Sequence, residues 1–299
     1  MMKYRLLKRA GISLSEISLG CMSLGTDHAE NARIIQSAFE GGINYFDTAD
    51  IYQNGFNEET VGRAIKPFRK EVFLATKVGN EPNASGDGWN WNPSKSYILK
   101  AVEGSLRRLG TEYIDLYQLH GGTIEEDREE VIEAFEQLKE SGKILHYGIS
   151  SIRPNVVRQF ASSTPIVSDM LQYSLLDRRP EEELLTLLYE NDIGVVVRGA
   201  LAKGILAQKD LSDYLNYKSK DIELLRDKMN SFSIEKMTNS QLAIKWVLAN
   251  KAVTSVAVGA RTLDQLNDAL GVFETPDLGA ELCNELSSVL PVNLYTAHR

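Results

Sequence analysis

Asn44-Tyr45-Phe46-Asp47-Thr48-Ala49-Asp50-Ile51-Tyr52 is the stretch around which the chain is organised. Ile43 to Phe46 is short, β-branched and aromatic and follows the Gly41-Gly42 break, so it reads as a buried strand entered from a tight turn. Polar chemistry begins where that strand ends. Asp47 and Asp50 stand just past it, and Tyr52 is close enough in sequence for a short loop to fold its phenol back over the strand end. A carboxylate and a phenol at one mouth suggest a proton donor. A free tyrosine, with a pKa of about 10, is a poor acid near neutrality, and a close cation favours its anionic form. Other strand ends must supply that cation.

With 299 residues, 43% of them apolar, the chain can bury a barrel-sized core. Its net charge of -8 argues against a nucleic-acid partner, since phosphate backbones need concentrated Lys and Arg; any anionic ligand must be held by local cations. The basic start, Met1 to Arg9, lacks the apolar core and cleavage site of a signal peptide, and no run reaches membrane-spanning length. Cys21 and Cys283 lie far apart, which points to a reducing, cytoplasmic setting without a disulfide framework. His28, His120, His146 and His298 show no metal-ligand spacing, so no metal is expected.

Taken in order, Tyr4 to Leu7 and Ile12 to Leu14 read as a hairpin across Ala10-Gly11. Eight strand-like runs follow: Ile17 to Leu19, Asn44 to Phe46, Val72 to Thr76, Ile114 to Leu119, Leu145 to Ile149, Met170 to Gln172, Gly194 to Val197 and Ser255 to Val258. Helical patterns alternate with them, near Glu30 to Glu40, Glu58 to Ile65, Ser94 to Leu109, Glu129 to Ser141, Asn155 to Ala161, Glu181 to Glu190, Asn239 to Ala249 and Leu263 to Leu270. The fold class is therefore α/β, a (β/α)8 TIM barrel forming one domain over residues 1–299. Val78 to Asn92 and Arg198 to Thr238 are too long to be mere connectors. In a barrel both lie on the C-terminal face, where Trp89, Trp91 and the tail Pro291 to Arg299 become candidates for walls of a ligand site.

In that barrel Lys77 ends the third strand, His120 the fourth, and Asp47 the second, with Tyr52 just beyond. Each alone has an ordinary structural role available to it. Jointly they place four titratable groups at one mouth.

These residues resemble the aldo-keto reductase family, and the resemblance runs along essentially the whole chain. It is carried by Leu19-Gly20-Cys21-Met22, Phe46 to Tyr52, Ala75-Thr76-Lys77, Asp115-Leu116-Tyr117-Gln118-Leu119-His120 and Gly148-Ile149-Ser150. The resemblance implies a tetrad in which Tyr52 is the general acid, Lys77 paired with Asp47 lowers the phenol's pKa, and His120 orients the carbonyl or shares in proton transfer. No side chain can deliver a hydride, so a nicotinamide cofactor is required, NADPH more often than NADH in the family.

By the same resemblance Ser150 and Gln172 hold the carboxamide, Tyr173 stands beside the nicotinamide ring, and Gly199, Leu201 and Gly204 belong to the cover over the pyrophosphate. Gly259, Arg261, Gln265 and Asp268 fall in the segment that grips the adenosine 2′-phosphate. Arg261 beside a helix start suits that phosphate. The chain departs from the family at Ser151 and Ala269, where Asn is common, and at Asp268, where Glu is usual. Val197-Arg198-Gly199-Ala200-Leu201 replaces an aromatic-Ser-Pro-Leu pattern, which directs Arg198 to a cofactor phosphate or to an acidic substrate group.

The expected function is thus NADPH-dependent reduction of a small carbonyl substrate, with no nucleic acid or membrane partner. Its rival is a nicotinamide-binding regulatory subunit resembling potassium channel β-subunits. A metal-dependent hydrolase built on Asp47 and His120 lacks a ligand cluster.

Overall fold

The computed structural model of the chain describes residues 1–83, 85, 88–232 and 237–299. It opens with an antiparallel hairpin, β1 (Tyr4–Leu7) and β2 (Ile12–Ser15). Eight parallel strands then close into a barrel: β3 (Ile17–Gly20), β4 (Tyr45–Asp47), β5 (Phe73–Val78), β8 (Ile114–Leu119), β9 (Ile144–Ile149), β10 (Ser168–Gln172), β11 (Gly194–Arg198) and β12 (Val253–Val258). Between β5 and β8 lies a second small hairpin, β6 (Asn80–Pro82) with β7 (Trp89–Trp91). The expected (β/α)8 barrel is the observed fold. Every residue of β5 and of β8 is buried, so these strands read as continuous runs rather than as alternation, as fits a sheet covered on both faces.

Helices α1 (His28–Glu40), α2 (Phe56–Ile65), α3 (Lys95–Leu109), α4 (Arg128–Glu140), α5 (Pro154–Ser163) and α6 (Leu184–Glu190) follow successive barrel strands. Then come α7 (Ser219–Ser231), α8 (Asn239–Leu248), α9 (Leu263–Leu270) and α10 (Ala280–Ser288). Their starts are set chemically. Asp27 Oδ1 accepts the Ala29 and Glu30 N–H groups at the head of α1, Ser94 caps α3, and Thr238 with Gln241 forms a capping box on α8. No helix among the described residues is long and apolar enough to cross a membrane.

The apolar residues sort into two layers. Ile35, Val61, Val102, Phe135, Val157 and Leu188 pack between strands and helices. Leu7, Leu14, Tyr45, Phe73, Leu116, Met170 and Val196 fill the barrel interior. Leu7 and Leu14 come from the opening hairpin, and a methyl added to Gly194 at the start of β11 would meet Leu7 Cδ1 at 2.3 Å. The hairpin therefore stoppers the N-terminal end of the barrel.

Four expectations change. The segment after β11, read as a long loop, contains α7, whose charged sequence hides a stripe of Ile222, Leu225 and Met229 buried against the fold. A helix, α10, precedes the tail and was not foreseen. The pattern at Glu181 to Glu190 divides into a short turn, Arg179–Glu182, and α6. Within the Val78 to Asn92 segment β6 and β7 pair, and Trp91 packs them onto the barrel. Gly79, at φ +120°, leaves room for that indole, which a Cβ would meet at 2.5 Å. Trp91 Nε1 donates to Glu126, whereas Trp89 is 54% exposed.

The tail does cross the C-terminal face. Asn293 Oδ1 accepts the Arg178 N–H at 2.8 Å, and the His298 carbonyl accepts the Asn155 N–H at 2.9 Å.

Below the tail, Asp169 of β10 is fully buried. Its Oδ1 accepts the Ser151 N–H at 3.1 Å, while Oδ2 has no partner among the described residues. Burial pushes this carboxyl up to about 8. Above about pH 4 the unfolded chain loses this proton while the folded chain keeps it, so stability falls progressively until pH approaches 8. Asp169→Asn keeps the Oδ1 acceptor but cannot titrate. Its Tm relative to wild type should therefore rise by on the order of 10 °C between pH 4 and pH 8.5 in thermal melts. A pH-independent difference would show that Asp169 ionises normally.

Candidate functional site

On five strands an inward core residue is followed two positions later by a polar one. Tyr45 leads to Asp47, Ala75 to Lys77, Leu116 to Gln118 and then His120, Met170 to Gln172, and Val196 to Arg198. Strand side chains alternate between faces, so each polar residue shares the inward face of its predecessor. These positions lie at or just past the C-terminal strand ends, and they ring the mouth opposite the stopper.

At the centre of the ring, Lys77 Nζ donates to Asp47 Oδ2 at 2.5 Å and to the Thr48 carbonyl at 2.6 Å. It also stands 5.1 Å from the centre of the Tyr52 ring, where ammonium and phenol interact electrostatically. Gln118 Nε2 donates to the other Asp47 oxygen at 3.2 Å. Lys77 is 0% exposed and Asp47 4%. Burial works against the Lys77 charge, but Asp47 and Tyr52 outweigh it and hold the ammonium above its ordinary pKa.

The Tyr52 ring meets His120 edge-on, with centroids 6.0 Å apart and planes at 82°. Burial, reinforced by the positive charges of Lys77 and Arg198, lowers His120 to about 3. Its imidazole is neutral at physiological pH, with one nitrogen a donor and the other an acceptor. Nδ1 has no partner among the described residues. The site can therefore present a phenol backed by a cation and a neutral imidazole to one ligand atom.

Tyr52 is set by an unusual turn. Gln53 and Asn54 both lie in the left-handed region, at φ 51° and 54°, and Gly55 follows at φ 88°. A side chain on Gly55 would be strained and would also meet Arg108 Cδ at 2.6 Å. Gln53 Nε2 ties the turn to the Leu24 carbonyl at 2.9 Å. Asn57 accepts from Thr48 Oγ1 at 2.6 Å and donates to the Cys21 carbonyl at 2.8 Å, joining the ends of β3 and β4. Beneath, the fully buried Glu58 accepts from Thr76 Oγ1 at 2.6 Å and pairs with Arg108 at 2.6 Å. The neighbouring Asp50 is pushed up to about 8 by burial and by Glu58.

The other expected residues fall into three groups. Ser150 and Gly199 follow β9 and β11 at the mouth, and Leu201 and Gly204 continue in the tight turns after β11. Gln172 is there too, but both ends of its amide are engaged: Oε1 accepts from Arg198 Nη1 at 3.0 Å and Nε2 donates to the Tyr214 hydroxyl at 2.8 Å. Beyond β12, Gly259 sits where a Cβ would meet Ser23 Oγ at 2.3 Å. Gln265 Oε1 accepts the Arg261 N–H at 2.8 Å at the head of α9, leaving the exposed Arg261 guanidinium with no partner among the described residues. Two residues lie apart. Tyr173 points outward, 5.1 Å from the Trp246 ring with its hydroxyl on Glu181, and Asp268 accepts from Thr238 Oγ1 at 2.8 Å. Gln118, Asn57 and Gln53 were not singled out from the sequence. Only Gln118 carried a usable signal, being two residues before His120 on a strand and therefore on the same face.

Comparison with known proteins agrees along the chain. Residues 16–290 match the sequence profile of the Aldo/keto reductase family. The uncharacterized oxidoreductase YqkF of Bacillus subtilis is 45% identical, with 100% of each chain covered. The NADP(+) aldo-keto reductase yakc of Schizosaccharomyces pombe is 31% identical, with 86% of this chain and 83% of that protein covered. Among solved structures, the holo form of the aldo-keto reductase AKR11C1 from Bacillus halodurans superposes with a TM-score of 0.95 at 46% identity, covering 100% of both chains; its apo form gives 0.86.

The electrostatics of the mouth are testable by nitrogen-15 NMR. His120 should remain neutral from pH 8 down to about 4. In Lys77→Met its titration should move upward, because a neighbouring cation is gone, yet stay below 6.5 because burial persists. A His120 pKa of 6 or above in the wild type would contradict the geometry.

Proposed function

The chain belongs to the aldo/keto reductase family, a family of oxidoreductases, and on that premise we propose that it is an NADPH-dependent reductase of small aldehydes or ketones. The observation that carries this reading is a buried ammonium bonded to the Asp47 carboxylate and standing beside the Tyr52 ring. Residues 1–299 act as one domain in this reading, and the two free cysteines, one buried and one half-buried, accord with a cytoplasmic setting.

The substrate carbonyl oxygen lies between Tyr52 and His120. As negative charge grows on that oxygen, Tyr52 passes it the phenolic proton, and the phenolate left behind is balanced by Lys77. Asp47, fixed by Gln118, keeps Lys77 charged and aimed. His120, being neutral, donates a hydrogen bond to the same oxygen without competing as an acid. A bound nicotinamide supplies the hydride.

The donor set fits that cofactor. In a chain of net charge -8, the free guanidinium of Arg261 at the start of α9 offers a local phosphate site, with Gly259 and Gln265 shaping the turn around it. Ser150 and Gln172 face the mouth as amide and hydroxyl partners for a carboxamide, Gln172 exchanging one present bond to do so. Gly199, Leu201 and Gly204 form the wall over the pyrophosphate. The 2′-phosphate preference is further supported by the NADP(+) in the name of the yeast relative.

In a spectrophotometric assay of NADPH oxidation, Tyr52→Phe should lower turnover by about 100-fold or more while the cofactor's Kd, read by fluorescence, changes by less than about twofold. Tight cofactor binding with negligible wild-type turnover on every carbonyl would favour the regulatory-subunit reading instead. Arg261→Ala should weaken NADPH binding by about tenfold or more and leave NADH nearly unaffected. Equal losses for the two cofactors would remove Arg261 from the 2′-phosphate.

A further inference from the structure

The N-terminal end of the barrel carries a second polar cluster, on the side opposite the ring of Asp47, Lys77 and His120. A cavity of about 270 Å³ opens there, beside the starts of β1 and β3 and the C-terminal end of α8. Three cations line it, Lys3, Arg5 and Lys245, against two carboxylates, Glu16 and Asp277. Arg5 and Glu16 complete each other: Arg5 Nε donates to Glu16 Oε1 at 2.6 Å, and the other guanidinium nitrogens donate to the Val253 and Leu248 carbonyls, each at 2.7 Å. The odd charge therefore belongs to the lysines.

Lys245 stands in an unusual place for a cation. It belongs to α8, where Gln241 to Leu248 are all buried, and its side chain is only 6% exposed. An ammonium taken out of water needs partners for its three N–H groups. Among the described residues Lys245 has one, Asp277 Oδ1 at 3.2 Å. That carboxylate is 76% exposed and is held more closely by Lys3, at 2.9 and 3.1 Å. Two lysines thus share one anion, and the buried lysine has the longer bond. Two N–H groups of a nearly buried cation are left beside the cavity, whose wall is completed by the apolar side chains of Leu248, Phe273 and Leu278.

We propose that this cavity binds a small monocarboxylate with a compact apolar body, the carboxylate meeting Lys245 and the body lying on Leu248, Phe273 and Leu278. One uncompensated cation matches the single charge of a carboxylate, whereas a phosphate monoester brings nearly twice that charge. The apolar wall selects for the hydrocarbon body. Asp277 is the internal competitor of such a ligand: it offers Lys245 the same group, and it keeps Lys3 as a partner when the ligand takes its place on Lys245. The site goes beyond the reductase reading and does not depend on it, since none of these residues belongs to the mouth or to the cofactor positions.

Carbon-13 methyl NMR of Leu248 and Leu278 in the full chain tests this with three probes: 4-methylpentanoate, its neutral amide 4-methylpentanamide, and inorganic phosphate. The carboxylate should give saturable shifts with a Kd in the millimolar range or tighter, as expected for a ligand of about eight non-hydrogen atoms. The amide should bind at least about tenfold more weakly, and so should the carboxylate to Lys245→Met, which keeps the apolar stem without the charge. Asp277→Asn removes the competitor and should tighten the carboxylate by about threefold or more, a gain that a purely structural Lys245–Asp277 pair does not produce. No saturable shift up to about 50 mM, equal binding of the amide, or phosphate binding more tightly than the carboxylate overturns the proposal. Unaltered binding in Lys245→Met, or unchanged or weaker binding in Asp277→Asn, does the same. If Lys245→Met does not fold, Asp277→Asn decides alone, tighter binding sustaining the site and any other result refuting it.

Discussion

An ammonium with no exposure, bonded to a carboxylate that is almost as deeply buried, is the constraint from which the rest of this mouth follows. Neither charge tolerates burial alone, and removing one partner of such a pair costs about 3–5 kcal/mol because the other is left uncompensated. Lys77 and Asp47 therefore have to arrive together, from adjacent strands and in one register, with Asp47 beside Ala75. Once they do, the ammonium fixes the start of the next loop through the Thr48 carbonyl and presents its charge to the Tyr52 ring. Stability and chemistry use the same atoms, so the chemistry cannot be retuned without disturbing the fold.

Around that pair the barrel works as an alignment device. Alternation along each strand turns every second residue inward, and closure brings those residues from five strands to one rim. The outward positions do a different job. Tyr173, next to the rim in sequence, is spent on Trp246 and Glu181 in the layer between strands and helices. Sequence proximity to a site is thus a weaker guide than parity along a strand.

The same distinction explains what could be read from the sequence. The eight strands and the four central polar residues were legible because apolar runs and strand-end punctuation are local signals. Helix α7 was not, because its three buried residues are spaced among lysines and aspartates and gain meaning only from the surface they cover. The left-handed run at Gln53-Asn54-Gly55 was also hidden, since only the glycine announces such geometry. The engagement of Gln172 with Arg198 and Tyr214 joins residues from two strands and a distant insertion, and no local pattern encodes it.

The opening hairpin has a geometric consequence. Leu7 and Leu14 close the far end, and Tyr45, Phe73, Leu116, Met170 and Val196 fill the interior, so the barrel is a packed core with no passage through it. Whatever reaches the polar ring has to come to the C-terminal rim from solvent. A feature built from two leucines at the bottom of the fold thereby helps to confine the chemistry of the ring to one face of the molecule.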